Sequence, residues 1–105
     1  MAAAVFSTNF ARSAGFGGSV LFSVASGFTD VLRDVDVYCN AGPAGAAFHL
    51  FGGNSQTIIF LTWGPFEQAS KQWTGRQVLD DTQTWGFSGS GSLMDVTVSG
   101  YHLAN

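Results

Sequence analysis

The residues with the most chemical potential are few and scattered. Asp30, Asp34 and Asp36 form the densest acidic group. Asp34 and Asp36 stand at i and i+2, so on a strand their carboxylates share a face and come near enough to hold one calcium ion between them. Calcium takes about six to eight oxygen ligands, and this stretch has neither EF-hand spacing nor a nearby Glu. A solvated strand face whose charges discourage edge pairing is the better expectation. Asp80-Asp81 reads as a turn, because Asp hydrogen-bonds to nearby backbone. A carboxylate-pair hydrolase needs an acid and a base facing one cleft at about 5–9 Å, which nothing in this spacing promises. His49 and His102 belong to no His-x-His or His-Glu-x-x-His pattern. Cys39 and His49 could meet across adjacent strands as a thiol–imidazole pair, but no local signature supports it. The lone cysteine reads as a small buried hydrophobe. Gly15-Phe16-Gly17-Gly18 lacks the Lys-Ser/Thr of a P-loop, and the glycines between Gly86 and Gly91 have the wrong spacing for a dinucleotide fingerprint. No catalytic residue, metal ligand or cofactor site is assigned, and the expectation is a protein that is not an enzyme.

The aromatic residues carry more information. Trp63, Trp73 and Trp85, with Tyr38 and Tyr101, could build a flat platform on which a sugar ring stacks, or fill a core or a subunit interface, where large aromatics dominate burial. Trp63 ends the most apolar stretch and is expected inside. Trp73 and Trp85 have polar neighbours and are expected to be exposed. Phe6, Phe10, Trp73, Trp85 and Tyr101 are therefore the candidate interface or ligand contacts, with a glycan as the possible small partner.

These residues must be positioned by a small, weakly charged chain. It has 105 residues, 46% hydrophobic, 14% aromatic and 10% charged, with a net charge of −3. A typical domain carries about 25% charged residues. The length fits one domain. Four basic residues give no electrostatic footprint for nucleic acid. No apolar run approaches the ~20 residues of a membrane helix, and the hydrophobicity excludes disorder. So few charges leave broad uncharged surface on a monomer, which predicts burial against another subunit. The opening segment lacks a basic n-region and a sustained apolar h-region, so a chain made and kept in the cytoplasm of its producer is expected.

Glycine-rich turns and short apolar runs point to an all-β domain. Residues 1–18 lack clear alternation and read as an N-terminal arm; residues 19–105 read as the sandwich domain. Strands are expected over Ser19–Val24, Val31–Cys39, Ala46–Phe51, Thr57–Trp63, Trp73–Leu79, Thr82–Phe87 and Leu93–Leu103. In the second of these, Val31, Val35, Val37 and Cys39 share one face, interrupted by Arg33, and Leu32, Asp34, Asp36 and Tyr38 share the other. In the last, Met94, Val96 and Val98 oppose Asp95, Thr97, Ser99 and Tyr101. Thr57–Trp63 is apolar on both faces and is expected to be a central strand. Phe66–Gln72 is left between a loop and one helical turn, and Gly89–Gly91 reads as a turn. The expectation is a single-domain β-sandwich of about seven or eight antiparallel strands, of jelly-roll or Greek-key type.

Three stretches carry a resemblance: Leu32-Arg33-Asp34-Val35-Asp36-Val37, Trp73-Thr74-Gly75-Arg76-Gln77-Val78-Leu79 and Val96-Thr97-Val98-Ser99-Gly100-Tyr101-His102-Leu103. In order and spacing they resemble small all-β virion structural proteins of tailed bacteriophages, especially those of actinobacterial hosts. In that group an early strand contains Arg-Asp, a middle strand carries Gly-Arg-x-Val-Leu, and the chain closes on Val-Ser-Gly-Tyr-x-Leu. The match spans about residues 28–103 and omits the arm. Asp80-Asp81 departs from it, since a Pro-Gly or similar turn is more usual there. The resemblance implies a structural part of the virion, made in the host cytoplasm: a head decoration, minor capsid or minor tail protein with no chemistry attached. It would act by self-association into a symmetric oligomer such as a trimer and by docking on other virion proteins. The alternative is a carbohydrate-binding, lectin-like module or a host-recognition part of the tail that uses exposed Trp and Tyr.

Overall fold

The computed structural model describes residues 3–10, 18–53, 56–81, 83–91 and 93–104. Its eight strands are β1 (Ala3–Phe10), β2 (Gly18–Ser23), β3 (Phe28–Asn40), β4 (Ala46–Gly52), β5 (Gln56–Trp63), β6 (Gln68–Leu79), β7 (Thr84–Ser90) and β8 (Met94–Ala104). They form two four-stranded sheets, one in the order β1-β8-β3-β6 and one in the order β2-β7-β4-β5. Every ladder is antiparallel. The pairs β1·β8, β2·β7, β3·β6 and β4·β5 are nested, like one long hairpin, and β3·β8 and β4·β7 join them when that hairpin is rolled up. This is the jelly-roll order, in which two antiparallel sheets pack face to face.

Burial follows the pleat. Leu32, Val35, Val37 and Cys39 of β3 and Met94, Val96 and Val98 of β8 line the inner side of the first sheet. Phe48 and Leu50 of β4, Ile59 and Trp63 of β5, and Trp85 and Phe87 of β7 face them from the second. Phe48 and Phe87 pack with their ring centres 5.6 Å apart. Side chains alternate across a strand, so these sets are what a two-sheet core requires.

Within β3 the faces differ from the simple alternation. The register shifts between Leu32 and Asp34 on both sides: against β8, whose Gly100 and Ser99 are consecutive, Arg33 is an extra residue, whereas against β6 the two residues Gly75 and Arg76 stand opposite Arg33 alone. Such a bulge re-phases the strand. Leu32 thereby joins Val35, Val37 and Cys39 inside, and Val31 moves to the outer side. There Val31 lies in register between Tyr101 and Val78 and is still fully buried. The Arg33 Nε donates to the Gly75 carbonyl at 2.8 Å. Gly100 lies opposite Leu32, and a methyl group on it would run into the Val31 carbonyl oxygen. The three stretches that carried the resemblance thus meet at one junction.

Three further expectations are corrected. Ala3–Phe10, read as part of an arm, pairs along its length with β8 as an outer strand of the first sheet. The sequence Ala3–Phe10 has no period-2 pattern, so only its pairing with β8 identifies it as a strand. Residues 11–17 of that segment lie outside the described residues. Thr57–Trp63 forms the outer strand β5, not a central one, and Phe60 is 58% exposed. The run is continuous because a register shift against β4 leaves Ile58 as an extra residue, so that Ile58 and Ile59 both pack with the core, while Thr57, Phe60 and Thr62 face outward. Finally, β7 runs on to Ser90, so the turn begins at Gly91.

The segment left undecided is a tight loop followed by the start of β6. Phe66 sits at φ 59°, in the left-handed region, with its N–H bound to the Gly42 carbonyl at 2.9 Å. Glu67 closes the loop: its carboxylate accepts the Gly64 N–H at 2.8 Å and lies 3.3 Å from the Lys71 ammonium. The backbone N–H, aided by Lys71, holds the Glu67 carboxyl below the usual range.

Two outcomes follow. Gly100→Ala should cost about 2–3 kcal/mol, the upper part of the overpacking range. Chemical denaturation reads this as a lower midpoint, and an unchanged midpoint would contradict the close approach to Val31. An NMR titration should find the Glu67 midpoint below the ordinary Glu value, and Lys71→Met should raise it only part of the way. With the folded value depressed, the loop's contribution is complete above the unfolded value and is lost as pH falls through the folded one. A Glu67 midpoint at or above the ordinary value would overturn the assignment.

Candidate interaction surface

The structure separates the candidate aromatics instead of gathering them. Trp85 is 4% exposed, on the inner side of β7, with its ring stacked on Phe22 at 4.5 Å. Its expected exposure is therefore corrected. Its sequence neighbours Thr84 and Gly86 are polar or small because they point the other way, so they carry no information about Trp85 itself. Trp73 lies opposite Val35 and packs half-buried against the core from the outer strand β6. Trp63 is buried, as expected; its Nε1 donates to the Ala69 carbonyl at 3.0 Å, and the Lys71 ammonium sits 5.5 Å from the ring centre. Tyr38 and the half-buried Tyr101 lie on the outer side of the first sheet. Phe6 and Phe10 are placed by register opposite Gly100 and Val96, and their side chains lie outside the described residues.

The titratable groups are equally dispersed. Asp34 and Asp36 are exposed on the outer side of the first sheet, and the Thr74 hydroxyl donates to Asp34 at 3.2 Å. With Gln72, Thr74, Thr97 and Ser99 they line a shallow depression of ≈ 300 Å³. Among the described residues, no three of His, Cys, Asp and Glu form a group that could hold a metal ion. Cys39 points into the core from the first sheet, whereas His49 lies on the outer side of the second, so the thiol–imidazole pair does not form. One contact was not foreseen: the carboxylate of Asp30, only 5% exposed, meets the Nδ1 of His102. Their strands are distant in sequence, and only the β3·β8 register sets them opposite each other.

The clearest feature is the distribution of charge. In the described strands, β2, β4, β5 and β7 contain no Asp, Glu, Lys or Arg. The first sheet carries Asp30, Arg33, Asp34 and Asp36 on β3, Lys71 and Arg76 on β6, and Asp95 on β8. Glu67, Asp80 and Asp81 are in loops, and Arg12 lies outside the described residues. The outer side of the second sheet is therefore uncharged. Leu21, Gly86 and Phe51 form one row across it, and Ser19, Ser88, His49 and Phe60 form the next. Leu21 is 66% exposed. It and Phe51 both lean over Gly86, close enough to touch a methyl group placed there. The His49 ring meets Phe60 edge-on at 5.2 Å and is hydrogen-bonded through Nε2 to the Thr57 hydroxyl at 3.0 Å. Among the described strands β1 is uncharged as well, but the topology places it in the first sheet and gathers the other four uncharged strands into the second.

Solved structures share this fold. A chain of the acid-stable capsid of the Helicobacter pylori bacteriophage KHP30 aligns over 100% of this chain and 90% of its own, with TM-score 0.62 and 8% identity. The Drosophila NLP core, whose structure bears on pentamer formation and histone binding, aligns over 95% of this chain and 98% of its own, with TM-score 0.52 and 12% identity. The CBM36-1 domain of a multidomain xylanase from the hindgut metagenome of Trinervitermes trinervoides aligns over 94% and 95%, with TM-score 0.52 and 16% identity. No family model and no curated protein matches the sequence. At such identities the likeness is one of fold.

The separation of the tryptophans can be measured. Trp85→Ala should lose about 3–5 kcal/mol of stability, as for a large buried aromatic. Trp73→Ala, half-buried at a sheet edge, should lose about 1–2 kcal/mol. Denaturant midpoints in the reverse order would place Trp85 outside the core.

Proposed function

We propose that this chain is a structural subunit of a virus particle, acting by self-association and by docking on other virion proteins. In its finer form the reading is a head decoration, minor capsid or minor tail protein of a tailed bacteriophage, made in the host cytoplasm and retained in the virion. The likeness to the KHP30 capsid chain, which spans 100% of this chain and 90% of that one, is the observation that carries it. A second support is physical. With 10% charged residues and one sheet free of charge, the domain has more uncharged surface than a lone soluble unit needs. The NLP core, whose structure concerns pentamer formation, is a further case of this fold in an assembly. No catalysis and no cofactor form part of the reading.

A second reading, carbohydrate recognition, is favoured by the likeness to the CBM36-1 domain and by the polar depression around Asp34 and Asp36. It would rest on those groups and on the exposed Tyr38, since Trp85 is inside.

Light scattering behind a sizing column tests the first reading. The purified protein should show a mass above that of the 11.1 kDa chain, rising toward a fixed multiple with concentration. A single-chain mass at every concentration would remove self-association. Glycan-array binding by that single chain would then move the reading to carbohydrate recognition.

A further inference from the structure

We infer that the outer side of the β2-β7-β4-β5 sheet is the surface by which one copy of this chain packs on a second copy. The inference rests on the assembly reading and names its contact. Desolvating an unpaired charge costs far more than desolvating an aliphatic or hydroxyl group. The outer side of the first sheet carries Asp34, Asp36 and Asp95, so two copies meeting there would bring carboxylates together. The outer side of the second sheet has no charge to strand and offers Leu21, Phe51 and Phe60 as apolar anchors. A surface that excludes charge is complementary to itself, which suits a two-fold contact in which each copy uses the same patch.

The size of the face bounds the strength of the contact. Four strands about 4.8 Å apart and about seven residues long at ~3.4 Å each give roughly 450 Å² of projected face per copy. Side-chain relief adds to that figure, so the pair falls near the lower bound of the about 1,200–2,000 Å² buried in stable complexes. Association through this face alone is therefore concentration-dependent.

Sedimentation equilibrium over a wide concentration range tests this on the full chain. Leu21→Lys and Phe60→Lys should each weaken association about tenfold or more, as expected for loss of an interface anchor. Tyr38→Lys, on the opposite face, should leave it unchanged. Both anchors are largely exposed in the single chain, and unchanged thermal unfolding will show that the variants fold. If the wild type associates and the Leu21 and Phe60 variants associate equally well, this face is wrong and the assembly reading stands. If the wild type stays a single chain throughout, both fall.

Discussion

The insertion of β8 between β1 and β3 is what converts a long ribbon into a closed sandwich. Nested pairing alone would give a two-stranded ladder wet on both sides. An isolated hairpin of that kind is marginal in water, because it buries too little to offset the entropy of ordering its residues. Once β8 lies against β3 as well as β1, the valines of both strands share one inner surface, and the second sheet can close over it. That contact requires two irregularities at the same level: the extra residue Arg33 on β3 and the absence of a side chain at Gly100 on β8. The bulge brings the β3 backbone onto the Gly100 position, and Arg33 ties off the other side on the Gly75 carbonyl. Leu32, Val31 and the phase of the remaining strand all depend on that junction.

The same junction shows what a sequence can and cannot convey. Alternation in Val35–Cys39 and Met94–Val98 is a local signal, and it placed the central strands and their inner faces correctly. The interruption at Arg33 was visible, but its meaning was not, because a bulge is defined against partner strands that are distant in sequence. Thr57–Trp63 failed for a different reason. Apolar residues on both faces are expected of a strand covered twice, yet in β5 a register shift turns both Ile58 and Ile59 to the core and leaves Thr57, Phe60 and Thr62 outside. Such a shift is set by the partner strand β4, so periodicity within the segment cannot show it. Trp85 failed because its polar neighbours were taken as its environment, when on a strand the neighbours in sequence are on the opposite face.

Chemistry was legible mainly through spacing, and spacing led to none. Asp34 and Asp36 of β3 are set along a wet face, and the pair that comes together, the buried Asp30 with His102, depends on the β3·β8 register alone. The candidate contacts fared unevenly for a related reason: burial of a single aromatic is decided by strand phase, which the flanking residues obscure. Charge is different. Its absence from five separate strands is a property of each strand, and the nested topology then collects four of the five into one sheet, leaving β1 in the other. A distribution of that kind is available to sequence reasoning once the strand order is known.

A sandwich with one charged and one uncharged face has a direction built into it. In the assembly reading, the carboxylates of the first sheet keep their hydration and leave that side toward solvent, while the second sheet turns toward protein. The contact through the second sheet is small, so a stable particle requires many such contacts acting together, each weak enough to be broken and remade while copies adjust their positions. A larger apolar face would bind more tightly but would also capture misplaced copies. Ser19, Ser88 and Ser90 dilute the apolar rows of the second sheet, which in that reading keeps each single contact weak.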